Sequence, residues 1–158
     1  MALRQIREVG DDLLRKKSRP VEVIDDKIKE LLNDMYETLK NSDDGIGLAA
    51  PQIGILKRII VIDLSEEGGE VYKLINPVIV KAKGEQVCRE GCLSVPGVLG
   101  DVIRPKEVIV EALDENGKKV RIKGTDLLAI VLSHEIDHLD GVLFIDKATE
   151  IFDNIDED

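Results

Sequence analysis

The 158-residue chain has two cysteines, Cys88 and Cys92, too few for the disulfide framework of a small secreted protein. Their thiols are open to a metal or catalytic role, or to the plainer one of a small buried hydrophobe. Basic residues are in deficit, with 22 Lys and Arg against 32 Asp and Glu, a net charge of −10. A protein that displaces counterions from phosphates needs a clustered basic surface, so no nucleic-acid partner is expected. No apolar run approaches the roughly 18 residues of a membrane span, and the opening MALRQIREVGDDLL has no apolar h-region or small-residue cleavage site. The expectation is a cytoplasmic protein with no membrane partner. Repeats, low-complexity tracts and Pro/Ser-rich linkers are missing too, so residues 1–158 read as one domain with a short, fraying acidic tail from about Asp153. A domain of this length buries roughly two-thirds of its unfolded surface and needs no metal merely to fold. A metal would be there for chemistry.

What the chain does have is periodicity. Ile28, Leu31, Leu32, Met35 and Leu39 recur at helical spacing between Asp25 and Lys40, with Asp25 or Asp26 available as N-cap. Short β-branched runs at Arg58–Leu64, Val71–Ile75 and Pro77–Val80 predict strands. Glu107–Leu113 and Lys118–Ile122 flank Asp114-Glu115-Asn116-Gly117, where Asn116-Gly117 is expected to supply the positive φ angles of a tight hairpin turn. Thr125 or Asp126 then caps a second helix to about Leu139, with Gly141 placed to stop it. One helix, many strands and one helix predict an α+β fold with antiparallel sheet.

Within the second helix, HEIDH sets His134 and His138 one turn apart on one face, where two imidazoles can grip one metal. Glu135 follows His134 by about 100° of rotation, so its carboxylate can reach a metal-bound water without being a ligand. Leu127, Ile130 and Val131 lie on or beside the same stripe, which predicts that the histidines emerge from the buried side. Asp137 reads as solvated or as support for a ligand. A catalytic metal wants a third protein ligand. Cys92 in EGCLS leads, projecting from a strand end because Val95-Pro96-Gly97 is expected to stop any regular element, and Cys88 is its rival. In GIGLAAPQIG, residues 45–54, the small residues let another chain approach closely, or serve packing alone, and Gln52 offers an amide that can donate to a developing oxyanion. The segment has neither the phosphate-loop pattern nor a preceding strand for a dinucleotide fingerprint.

GIGLAAPQ, EGCLS and HEIDH together resemble, in order and wording, the three signature motifs of peptide deformylases, with looser similarity from about Ile6 to Phe144. The resemblance implies antiparallel β-sheets wrapped around a central helix that carries HExxH. It implies Cys92, His134 and His138 as metal ligands, Glu135 as acid and base, and Gln52 with the Leu93 N–H as oxyanion hole. The metal is Fe(II) in many members, with Ni, Co or Zn as substitutes; intrinsic affinity alone favours nickel or zinc over iron. The implied reaction removes the formyl group from the formylmethionine of newly made proteins and releases formate. The substrate peptide would pair with backbone near Ile46, Gly47 and Gly91, and its methionine would enter a pocket among Ile46, Leu127, Ile130 and Val131. Glu90 and Arg104 match residues that brace the Cys92 loop. Leu99 stands where many members carry arginine or tyrosine. The acidic ending implies that any ribosome association does not use the basic C-terminal helix of some relatives.

Two other readings compete. A zinc peptidase of the HExxH type would need another His or Glu ligand, but the chain holds no third histidine. A silent peptide-binding module would have no use for Glu135 and Gln52.

Overall fold

The computed structural model describes residues 3–42 and 45–153. Helix α1 spans Asp26–Lys40, and the Asp25 carboxylate caps it by accepting the Ile28 N–H at 3.0 Å. Among the described residues, eight strands form two antiparallel sheets. The larger contains β1 (Gly47–Ala49), β2 (Ile59–Asp63), β3 (Val71–Lys83), β6 (Glu107–Leu113) and β7 (Lys119–Thr125), in the order β1-β2-β3-β6-β7. The smaller pairs β4 (Gln86–Cys92) with β5 (Val95–Arg104) and β5 with β8 (Ala148–Asp153). Helix α2 (Leu127–Leu139) runs through the middle, and a single turn, α3 (Phe144–Lys147), follows it.

Strand β2 explains the layering. Successive side chains of a strand point to opposite faces, and here both faces are covered. Ile60 and Ile62 join Val108, Val110, Ala129, Leu132 and Ile136 under α2, while Ile59 and Val61 join Ile28, Leu32, Met35 and Leu48 under α1. A strand buried on both sides reads as a continuous apolar run, which is what Ile59-Ile60-Val61-Ile62 is. Burying each such side chain is worth about 1.5–3 kcal/mol. A third cluster of Val95, Val102, Leu143 and Phe144 lies beneath the smaller sheet. Helix α2 is buried along nearly its whole length, so its polar residues must face partners within the protein.

Several sequence expectations need correction. The two runs Val71–Ile75 and Pro77–Val80 form one strand, because irregular register against β6 on either side of Ile79 accommodates Pro77. In the β6–β7 turn only Gly117 has positive φ, and Asn116 does not. The Asp114 carboxylate instead orders the loop by accepting the N–H groups of Asn116 and Lys118. Thr125 ends β7, and Asp126 precedes α2 at φ 53° without capping it, its carboxylate turned to Lys106 at 2.6 Å. Val95-Pro96-Gly97 opens β5 where a break was expected. Asp153 pairs with Val98 at the end of β8, and the rest of the acidic tail, 154–158, lies outside the described residues.

Candidate active site

Three chain segments meet at the inner side of α2. Its HEIDH turn presents His134, Glu135 and His138, all buried. Strand β4 ends in Cys92, and the turn at 93–94 leads back so tightly that Cys92 pairs with Val95. The Cys92 Sγ, one ring nitrogen of His134 and one of His138 all lie within 4.8 Å of one another, with Cys92 Sγ 3.3 Å from His138 Nε2. Cys88, the rival ligand, lies outside this group; its sulfur is 3.6 Å from the Arg89 carbonyl, and burial pushes its thiol up. One inward position of β4, that of Glu90, separates the two cysteines, and only Cys92 joins the two histidines of α2.

A network of charges orients the first imidazole. Glu90 Oε1 lies 2.7 Å from His134 Nδ1, and Arg104 grips both Glu90 oxygens at 2.8 and 2.9 Å. Burial by itself would raise the Glu90 carboxyl, but the bonds from Arg104 and His134 hold it below its ordinary value, so it is ionised. An ionised carboxylate only accepts, so His134 carries a proton on Nδ1, and Nε2 is left as the ring nitrogen that faces the cysteine. Arg104 also donates to Asp137 at 2.6 Å, and Asp137 meets Lys147 at 3.0 Å, so Asp137 is salt-bridged rather than simply solvated. The Phe144 ring stacks on the other side of His134 at 6.1 Å.

The remaining groups are tuned by burial. It pushes Glu135 up to about 7, where a carboxyl can both accept and return a proton near neutral pH. It holds His138 well below the ordinary histidine value, so that ring is neutral. Burial would lower His134 as well, but the bonds to Cys92 and Glu90 and the charge of Glu135 raise it well above that value. The cluster favours a cation.

The donors suit a first-row divalent metal. Ligands held about 2.0–2.3 Å from a tetrahedral ion stand roughly 3.5 Å apart, close to the separation of Cys92 Sγ and His138 Nε2. Glu135 Oε1 is buried without a hydrogen-bond partner among the described residues, and Glu135 Oε2 is 4.0 Å from His134 Nε2. That carboxyl stands beside the donors and is not one of them.

A cleft of about 540 Å³ opens from this cluster, lined in part by Ile46, Gly47, Gly91, Ile130 and Val131, with Leu127 37% exposed at its mouth rather than buried. The edges of β1 and β4 border it. A side chain at Gly47 would place Cβ 2.5 Å from Glu135 Oε2, and one at Gly45 would meet Leu93 Cδ1 at 2.8 Å. The glycines are therefore spaces kept for a carboxylate and a leucine. Gln52 is buried, with Oε1 accepting the Ala49 N–H at 2.9 Å and Nε2 donating to Ser94 Oγ at 3.0 Å. Sequence reasoning missed Ser94 and Lys147. Ser94 adjoins a motif residue, but nothing in the letters indicates which side chain its hydroxyl meets.

A buried helix that offers two imidazoles to a thiol, with a proton-carrying carboxyl alongside, defines a metal-dependent hydrolase. Comparison with known proteins narrows the class. The family model for polypeptide deformylase matches residues 3–153. Peptide deformylase 2 of Clostridium acetobutylicum is 57% identical over 150 residues, which are 95% of this chain and 98% of that one. Two crystal structures superpose closely. The peptide deformylase of Legionella pneumophila has a TM-score of 0.89 at 46% identity, covering 94% of this chain and 87% of that one. That of Synechococcus elongatus, in complex with actinonin, has 0.88 at 44% identity, covering 93% and 79%. The chain belongs to the polypeptide deformylase family. It is an enzyme that removes the formyl group from N-terminal formylmethionine.

Proposed function

We propose that Cys92, His134 and His138 hold one divalent ion, Fe(II) in the cell, with Ni, Co and Zn as possible substitutes. Glu135, Gln52 and the Leu93 N–H then carry the hydrolysis. The observation that supports this most is the approach of three donor atoms to within 4.8 Å at the inner end of an apolar cleft, with a carboxyl poised near neutrality beside them. When bound, the ion supplies Lewis acidity that makes water a nucleophile near neutral pH. The chain's own groups do the rest. Glu135 takes a proton from the attacking water and returns it to the leaving nitrogen as the C–N bond breaks, giving formate and a free amine. Gln52 Nε2 and the Leu93 N–H donate to the oxygen that gains charge. The peptide lies extended along Ile46, Gly47 and Gly91, and its methionine side chain enters among Ile46, Leu127, Ile130 and Val131. Glu90 and Arg104 serve as structural support. Residues 3–153 work as one domain in the cytoplasm on nascent chains.

Formate release from an N-formylmethionyl peptide tests this, using anaerobically prepared, Fe(II)-loaded protein beside a metal-stripped control. Metal-dependent formate is expected. Internal cleavage of the peptide would favour the peptidase reading, and binding without formate release would favour the silent module.

A further inference from the structure

The hydroxyl of Ser94 is fully buried and accepts a hydrogen bond from Gln52 Nε2 at 3.0 Å. On the far side of the same amide, the Ala49 N–H donates to Oε1 at 2.9 Å. A backbone N–H can only donate, so the oxygen must face Ala49 and the nitrogen must face Ser94 and Cys92. One of the two amide protons is engaged by Ser94. The other lies on the side of Cys92 and donates to its Sγ at 3.5 Å, a long bond that an incoming carbonyl oxygen can replace. The main chains of both residues are tied by one segment: the Arg7 N–H donates to the Gln52 carbonyl at 2.6 Å, and the Val9 N–H donates to the Ser94 carbonyl at 2.7 Å. This strap crosses from one loop to the other and sets the spacing between amide and hydroxyl.

From this geometry we infer that Ser94 is a positioning residue for deformylation. Its hydroxyl holds the Gln52 amide so that the second N–H aims at the reacting carbonyl oxygen. The inference rests on the reading of Gln52 as an oxyanion donor. Glutamine has freely rotating side-chain torsions, and a donor that must be aligned at the moment of reaction stabilises the transition state less than one fixed beforehand. With Ser94 truncated, the amide keeps Ala49 on its oxygen and, among the described residues, only the long contact to Cys92 Sγ on its nitrogen. The oxyanion forms only as the reaction proceeds, so the loss falls on kcat and leaves KM nearly unchanged.

The test is a double-mutant cycle of Ser94→Ala and Gln52→Ala in the metal-loaded enzyme, with metal content and melting temperature recorded for each protein. Gln52→Ala is expected to lower kcat about 100-fold, as removal of an oxyanion donor does, and Ser94→Ala about 10-fold. The double variant should be no slower than Gln52→Ala. If Ser94→Ala costs its full factor again in the Gln52→Ala background, the positioning role is overturned while the Gln52 reading stands. If Gln52→Ala leaves kcat unchanged, both fall. A second readout needs no activity. In zinc-loaded, diamagnetic protein the Gln52 side-chain amide protons should be protected from exchange and Ser94→Ala should speed that exchange; an unchanged rate in the variant would overturn the inference.

Discussion

Glu90 and His134, 44 residues apart in sequence, share a 2.7 Å hydrogen bond inside the protein. The carboxylate that fixes the imidazole is itself fixed by Arg104, so the orientation of one ring depends on a buried ion pair spanning β4 and β5. Carboxylates behind metal-binding imidazoles typically contribute 10–100-fold in affinity. Glu90→Gln, which keeps the shape and removes the charge, should weaken metal binding by about that factor, measured by competition with a chelator. Glu90→Ala should go further and destabilise the fold, by up to about 3–5 kcal/mol, because it leaves a buried guanidinium with Asp137 as its remaining partner among the described residues. Urea unfolding of the two variants would separate these effects.

Glu135→Gln should keep its metal and lose about 10²–10⁴-fold in kcat, since an amide cannot shuttle the proton. Elemental analysis beside formate release checks both halves. Activity near the wild-type level would remove Glu135 from the mechanism.

Gly47→Ala should fold and yet be slow. Its Cβ would stand 2.5 Å from Glu135 Oε2, so the carboxylate must move. Displacing a proton-transfer group by about 1 Å costs on the order of 100-fold. An alanine variant with unchanged kcat would show that this close approach does not matter to the reaction.

Removing the metal should abolish activity without unfolding the protein, because the three apolar clusters form without it. At ion concentrations about 1,000 times Kd, binding adds about 4 kcal/mol of stability. For a domain of this size, that is a fall in melting temperature of roughly 8–16 °C on stripping. Calorimetry with and without chelator reads it directly.

Acid should destabilise the protein through carboxylates such as Asp63. The hydroxyl and N–H of Ser65, bonded to Asp63 Oδ1 at 2.6 and 2.9 Å, hold its carboxyl below the ordinary value. A carboxyl lowered in the folded state contributes stability that is present above its unfolded pKa, about 3.9, and lost as pH falls through the folded one. The urea midpoint should therefore drop as pH is lowered from about 5 toward 2, and Asp63→Asn should flatten that drop. An equally steep fall in the variant would assign the effect to other carboxylates.

Much of this was legible in the sequence, and the reasons differ by element. Helix α1 was visible because only one of its faces is buried, and β2 because both of its faces are. His134, Glu135 and His138 were placed together by helical geometry alone. The β4-β5-β8 sheet was not found, since its strands carry charge and glycine on an outer face, and Val95-Pro96-Gly97 looks like an ending. Asp126 was expected to cap α2 by residue type, whereas its unusual φ and its bond to Lys106 turn the side chain away. The contacts of Glu90 and Asp137 depend on how the smaller sheet docks against α2, and that of Ser94 on how its turn meets Gln52, and no local pattern encodes either docking.

The thiol and the imidazole it meets come from elements 46 residues apart, joined by no continuous stretch of secondary structure. A denaturing chain cannot keep one half of such a centre working while the other half melts. Loss of catalysis with denaturant should therefore coincide with loss of circular dichroism. Turnover then becomes a gauge of cooperativity: a gap between the two curves would reveal an intermediate in which the smaller sheet has let go of the central helix.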